Sequence, residues 1–314
     1  MGGGYNQQRE WGEFLMEYLV KSEDLTAVAD AIRAKGGTDA QLTFPSGFVG
    51  AVQAIPTGTT ITDGIVVKER DADGYATVVD FYGRQICIEQ FGCQYEETDN
   101  PFLRLAKVNV KQAVTVIGPR AFNNNVSLQE LTGVDFGAIT SIGNKAFFNA
   151  QRVALGDVDL VSLAKYPEDG IFQNCGGITK LTVHADGNIH YNLCNKCSSL
   201  TDIVIDCSVA FTDGSTDSGY AALGRNTALV NCKIGDVGKP CKQTSLAMLS
   251  GCTNKNLVVE IYVAGANVDT AVSNIRNGAT NATIIIKAAA DTTYNGVAYA
   301  AGDTILTSTP EAST

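Results

Sequence analysis

The phrase Ile117-Gly-Pro-Arg-Ala121-Phe122 returns 25 positions later as Ile142-Gly-Asn-Lys-Ala146-Phe147. After each copy comes a short polar turn and then apolar residues at set offsets, Leu128 and Leu131 in the first and Val153 in the second. A fixed period in this range constrains a chain to a solenoid, in which each repeat buries its apolar face on its neighbours. With Phe122 as anchor, the equivalent positions are Phe147, Phe172, Cys194, Leu223 and Leu249, at spacings of 25, 25, 22, 29 and 26 residues. Phe91 is a degenerate anchor before them. Val272 or Ile275 opens a partial last turn ending in Thr283 to Ile286. Atypical end units are expected, because the ends of a solenoid must be capped.

Composition narrows the function. The net charge of −10 argues against nucleic acid as a partner, since phosphate binding needs clustered Lys and Arg. No apolar run approaches the roughly 18 residues that span a bilayer, so membrane insertion is not expected. The first twenty residues lack a basic stretch followed by an apolar core, so no secretory signal is visible. Nine cysteines is an odd number in a chain of 314 residues. They read as reduced thiols rather than a disulfide framework.

Four modules follow in order. Residues 1–56 carry a helical pattern, with Trp11, Phe14, Leu15, Tyr18 and Leu19 on one face at i, i+3, i+4, i+7 and i+8. This stripe is the candidate for anchoring or oligomerisation. Two shorter helices follow, one with Leu25, Val28, Ala29 and Ile32, the next opened by Pro45 and stopped by Pro56. Residues 57–85 read as a linker and a β-hairpin turning at Asp71-Ala-Asp73-Gly74. There Glu69, Asp71, Asp73, Gly74 and Asp80 imitate positions of a calcium loop, although the closing Glu is an Asp and the flanks look like strands. Residues 86–287 form the repeat array. Residues 288–314 hold a hairpin with an Asn295-Gly296 turn and a polar tail from Thr307.

Three positions beyond each anchor stand Asn125, Ala150, Cys175, Cys197, Asn226 and Cys252. Small polar residues or Cys at one offset suit a tight buried turn, where the side chain can bond freed backbone groups. Beyond lie inward pairs such as Leu128 and Leu131, Ile178 and Leu181, Leu200 and Ile203. The phrase Ile-Gly-x-x-Ala-Phe, then Asn or Cys, then Leu-x-x-Leu, resembles BspA-like leucine-rich repeats over residues 117–263. The resemblance implies an α/β repeat solenoid with a small N-terminal helical module and a C-terminal β-hairpin.

A second resemblance lies at the ends. Leu25-Thr-Ala-Val28-Ala-Asp-Ala-Ile32-Arg33 with Leu42-Thr-Phe44-Pro45-Ser-Gly47-Phe48 is similar to an N-terminal segment of bacteriophage tail and other virion proteins. Tyr294-Asn-Gly-Val-Ala-Tyr299-Ala-Ala-Gly-Asp303 also resembles phage structural proteins. This implies a non-enzymatic virion protein of tail, baseplate or head fibre, made in the host bacterial cytoplasm. Its partners would be other virion proteins and a protein or glycan receptor on the host, and it would act as a homo-oligomer, a homotrimer by analogy. The alternative is a BspA-like bacterial surface adhesin binding host or matrix proteins.

Chemistry is otherwise sparse, and neither a cofactor nor a metal is expected. Cys194-Asn-Lys-Cys197 with Cys175 and Cys207 could be drawn as a zinc site, but repeat register explains Cys194 as an anchor and Cys197 as a turn residue. His184 and His190 are the only histidines, and no nucleophile elbow accompanies them. Carboxylate pairs for glycan hydrolysis cannot be read from spacing alone. The residues between inward strand positions should project outward from one continuous sheet. At offset eight from the anchors these are Glu130, Lys180 and Asp202, with Glu260 if inserted residues are allowed. At offset ten they are Thr132, Thr182, Val204 and Lys233, with Tyr262 by the same allowance. These nine residues are the expected protein-binding face.

Overall fold

The computed structural model describes residues 61–62, 64–93, 99–164, 169–189, 191–212 and 221–310. The expected N-terminal helices, with Trp11, Phe14, Leu15, Tyr18 and Leu19, lie outside the described residues, as does His190. What is described is a solenoid of stacked β coils.

Each coil lends one strand to a long wall. Seven strands of that wall lie in the spatial order Thr304–Ser308, Thr283–Ala288, Val258–Val263, Asn231–Ile234, Asp202–Ile205, Gly177–Val183 and Ala154–Leu160. All neighbours run parallel except the first pair, where Thr304–Ser308 is reversed. A second, five-stranded sheet runs Ile61–Thr62, Ile65–Arg70, Ala76–Phe81, Lys107–Val110 and Glu130–Thr132. Shorter ladders form behind, from Gln85–Ile86, Val116–Ile117 and Ser141–Ile142, and from Gly187–Ile189, Val209–Phe211 and Cys241–Gln243.

The wall is therefore two sheets, not the one expected. The Ala154 N–H donates to Gln129 O at 2.9 Å where the two sheets meet. Beyond that bond the 3-10 turn Phe136–Ala138 packs against strand Ala154–Leu160, with Gly137 capped by Asp135 Oδ1. The extra turn takes the place of ladder bonds.

The hairpin expected in a linker also belongs to the wall. Strand Ala76–Phe81 pairs with Lys107–Val110 in parallel, Val79 opposite Val108, so the hairpin is the first layer of the array. At the other end strand Thr304–Ser308 reaches into the tail expected to be frayed and pairs with Thr283–Ala288. Between them the Asn295-Gly296 hairpin forms as expected, with φ of 48° and 80° at its two turn residues.

The anchors make the core. Phe91, Phe122, Phe147 and Phe172 stack ring on ring, with centroids 5.4, 4.9 and 5.6 Å apart and planes within 17° of parallel. Cys194, Leu223 and Leu249 continue the column, all fully buried. Burying one such side chain is worth about 1.5–3 kcal/mol, and the ring pairs add roughly 0.5–1.5 kcal/mol. Gly118 and Gly143 recur beside the anchors for a steric reason. A Cβ on Gly143 would lie 2.3 Å from Pro119 N, and one on Gly118 would lie 2.8 Å from Cys87 C. Consecutive coils touch there through backbone alone.

The α/β character expected from the family resemblance is not what the described coils display. Two residues before the anchors stand Glu89, Arg120, Lys145, Gly170 and Asn192, and two after stand Asn124, Asn149, Asn174, Lys196, Arg225 and Gly251. All have φ between 51° and 77°. Left-handed residues four apart cannot belong to a right-handed helix, so the segments leading into the wall strands are stacked turns. Among the described residues the α-helix is Val268–Gly278, which buries Val268, Ala271 and Ile275 at the C-terminal end.

Candidate functional site, the outward sheet face

Register decides which side chains share the face. Lys180, Asp202 and Asn231 lie side by side on successive strands, flanked by Asp157 and Val258. Thr182, Val204, Lys233 and Glu260 form the next row, flanked by Asp159 and Ile285. Glu130 and Thr132 stand on the five-stranded sheet, opposite Lys107 and Asn109. The two rows thus hold six of the nine expected residues, and two more stand on the neighbouring sheet.

Tyr262 is the correction. Asn231 pairs with Val258, so the coil has gained one residue, not the three that grouping Glu260 with Asp202 requires. Glu260 then belongs with Lys233 rather than with Asp202, and Tyr262 falls one row further, opposite Lys287. It is 7% exposed, with the Lys233 ammonium 5.3 Å from its ring centre. Burial and the neighbouring Glu260 push its hydroxyl up to about 12. Thr182 is also nearly covered, at 9% exposure, between the flanking Asp159 and Val204.

Polar ties across coils organise the face. Asn231 Nδ2 donates to Asp202 Oδ1 at 2.8 Å and Thr201 Oγ1 to Asp202 Oδ2 at 2.6 Å. The Thr201 hydroxyl, then the Asn231 amide, hold the Asp202 carboxyl below its usual range. Lys107 meets Glu130 at 2.6 Å, Thr132 donates to Asn109 at 3.0 Å, and Lys233 meets Asp236 at 3.2 Å. Exposed pairs of this kind add at most about 1 kcal/mol each. They fix side-chain positions more than they stabilise the fold.

The other candidate chemistries disperse. Cys194 and Cys197 are fully buried, and Cys197 Sγ donates to Phe172 O at 2.9 Å. Burial raises both thiols strongly and pushes Cys175 up to about 12, the opposite of an activated nucleophile. Cys207 instead bonds Val183 O at 3.6 Å. Asp71 and Asp73 are held by Arg104, at 2.9 and 2.6 Å, and Asp80 by Asn109 and Lys111. The calcium positions are therefore divided between two separate side-chain networks. His184 lies 3.6 Å from Asp159 and from Asp206, while Asp186 accepts from the Ser208 N–H. Among the described residues no three His, Cys, Asp or Glu side chains gather as metal ligands.

Sequence reasoning missed the ladder at the edge where the chain enters the wall strands. Asn149 Nδ2 donates to Asn124 Oδ1 at 3.1 Å and Asn174 Nδ2 to Asn149 Oδ1 at 2.5 Å. The signal was present as Asn two residues after three successive anchors.

A stacked-coil wall with inward aliphatics and a buried aromatic column defines a repeat solenoid. Residues 101–216 match the BspA type leucine rich repeat region, in six copies. No curated protein matches the chain. A crystal structure of a leucine-rich cell surface protein from Faecalibacterium prausnitzii is similar at 16% identity with a TM-score of 0.40, over 78% of this chain. The chain spans 60% of that protein's length.

Proposed function

We propose that the protein is a non-enzymatic binding scaffold, a BspA-like bacterial surface adhesin that engages a host or matrix protein through the outward face of its seven-stranded sheet. The register carries this reading, since it aligns Lys180 with Asp202 and Thr182 with Val204, Lys233 and Glu260 on one wall. Seven strands about 4.8 Å apart make a face roughly 30 Å long, enough for a standard protein interface of about 800 Å² per partner. The core behind it is filled by the anchor column, which leaves function to the surface. The test is binding to immobilised collagen, fibronectin and laminin by wild type and by the K180E/K233E variant. Micromolar or tighter binding to one of them, weakened at least tenfold by the variant, is expected. Equal binding by both proteins would remove the face from the proposal.

A second reading rests on the phage-like phrases at residues 25–55 and 294–303. In it the chain is a virion component of tail, baseplate or fibre, oligomeric and anchored through Trp11 to Leu19, and the same sheet face meets a host receptor or a neighbouring subunit. Cell fractionation separates the two. Protein on intact bacteria without lysis supports the adhesin, whereas protein that co-purifies with particles supports the virion.

A further inference from the structure

The edge where the chain enters each strand differs from the sheet face. Its turns stack in register: the N–H groups of Asn124, Asn149, Asn174, Lys196 and Arg225 donate to Phe148, Gln173, Asn195, Gly224 and Ser250 O, at 2.8–2.9 Å. One straight column therefore runs along the solenoid axis, amides first and cations after. Arg120 and Lys145 stand at the neighbouring left-handed positions of the earlier coils. Arg120, Lys145, Lys196 and Arg225 are all exposed.

Among the described residues this edge carries more cations than carboxylates, whereas the whole chain has a net charge of −10. On the sheet face and at the strand exits Lys107, Lys111, Lys233 and Lys239 each meet a carboxylate. Lys145 and Lys196 meet none among the described residues; the Lys145 ammonium rests 5.5 Å from the Phe148 ring centre. The acids near the edge are engaged. Glu89 binds Arg120 at 2.7 Å, and Asp169 Oδ1 accepts from the Tyr191 N–H at 3.3 Å.

We propose that this strand-entry edge binds a linear anionic polysaccharide laid along the solenoid axis. Lys145 and Lys196 would meet its carboxylate or phosphodiester groups, with Arg225 beside them, and the Asn149 and Asn174 amides its hydroxyls. Charge density selects the polymer class. Duplex nucleic acid carries a charge about every 1.7 Å and would press against an acidic molecule. Lys145 and Lys196 stand two coils apart, roughly 10 Å along the axis, which matches a glycan with one charge per sugar or fewer. The surface is separate from the sheet face, so either proposal can fail without the other.

Calorimetry on the full chain tests it, using polygalacturonate, poly(glycerol phosphate), dextran and a single-stranded DNA oligonucleotide as probes. Binding of polygalacturonate or poly(glycerol phosphate) is expected, and the one preferred identifies the anionic group. The two lysine contacts predict a loss of roughly seven- to twelvefold between 50 and 200 mM salt. The K145E/K196E/R225E variant should lose binding, K145Q/K196Q/R225Q should weaken it at least tenfold with an unchanged circular dichroism spectrum, and K180E/K233E should retain it. Binding of neither anionic glycan at 50 mM salt overturns the proposal. So does undiminished binding by the glutamine variant, or tighter binding to DNA or dextran than to both glycans.

Discussion

Phe147 has a ring stacked on each of its faces, from Phe122 and Phe172. Phe147→Ala would leave a cavity between two coils and should cost about 3–5 kcal/mol, read from the midpoint of urea unfolding. The thiols give a second test at this scale. Cys87 is exposed and the other eight are buried, so iodoacetamide should modify one thiol in the native protein and nine in denaturant. Their burial also has a pH consequence. Thiols of Cys175, Cys207 and Cys241 pushed up to about 12 stay neutral in the fold while the unfolded chain ionises near its ordinary value of about 9. Their contribution is therefore complete below pH 9 and is lost as pH rises from about 9 to 12; a flat stability curve there would contradict it. Anchors and buried turn residues were legible because each must fill one shape: Asn125 reaches Phe91 O, and Cys252 reaches Leu223 O. The left-handed positions were illegible because the constraint is on the backbone. Glu89, Arg120, Lys145 and Asn174 all satisfy it with unrelated side chains.

At the level of elements, the join between coils is set by glycine at the second place of the repeated phrase. Gly143→Ala forces a Cβ against Pro119 and should cost about 1–3 kcal/mol as the coils move apart. Gly137→Ala is the control, since its nearest contact is the Asp135 carboxylate oxygen at 3.2 Å, and thermal melting should show a clearly smaller loss. Element existence was well encoded in the inward pairs, whereas register was not. Counting three added residues where the coil has one shifts Glu260 and Tyr262 by one row each while keeping their face, because strand side chains repeat every two residues. The break between the two sheets was hidden for a similar reason. The turn Phe136–Ala138 reads as an ordinary loop until it is seen against strand Ala154–Leu160.

For the whole molecule, the last coil is tied rather than merely packed. Arg276 donates to Thr280 O, Ala282 O, Ser308 O and Ser308 Oγ, at 2.7–3.1 Å, joining the helix Val268–Gly278 to the reversed strand Thr304–Ser308. Arg276→Ala should expose the last strand to hydrogen exchange ahead of the central coils, whereas uniform exchange along the array would show that the tie is dispensable. The reversal has a further meaning. A stack of parallel coils has no natural length, since each upper surface invites the next copy. One antiparallel strand ends the series by presenting a different surface, so a duplicated coil inserted upstream would raise the tower by about 4.8 Å and meet the same roof. Reach is then an inheritable quantity, counted in whole coils and adjustable without redesigning either end.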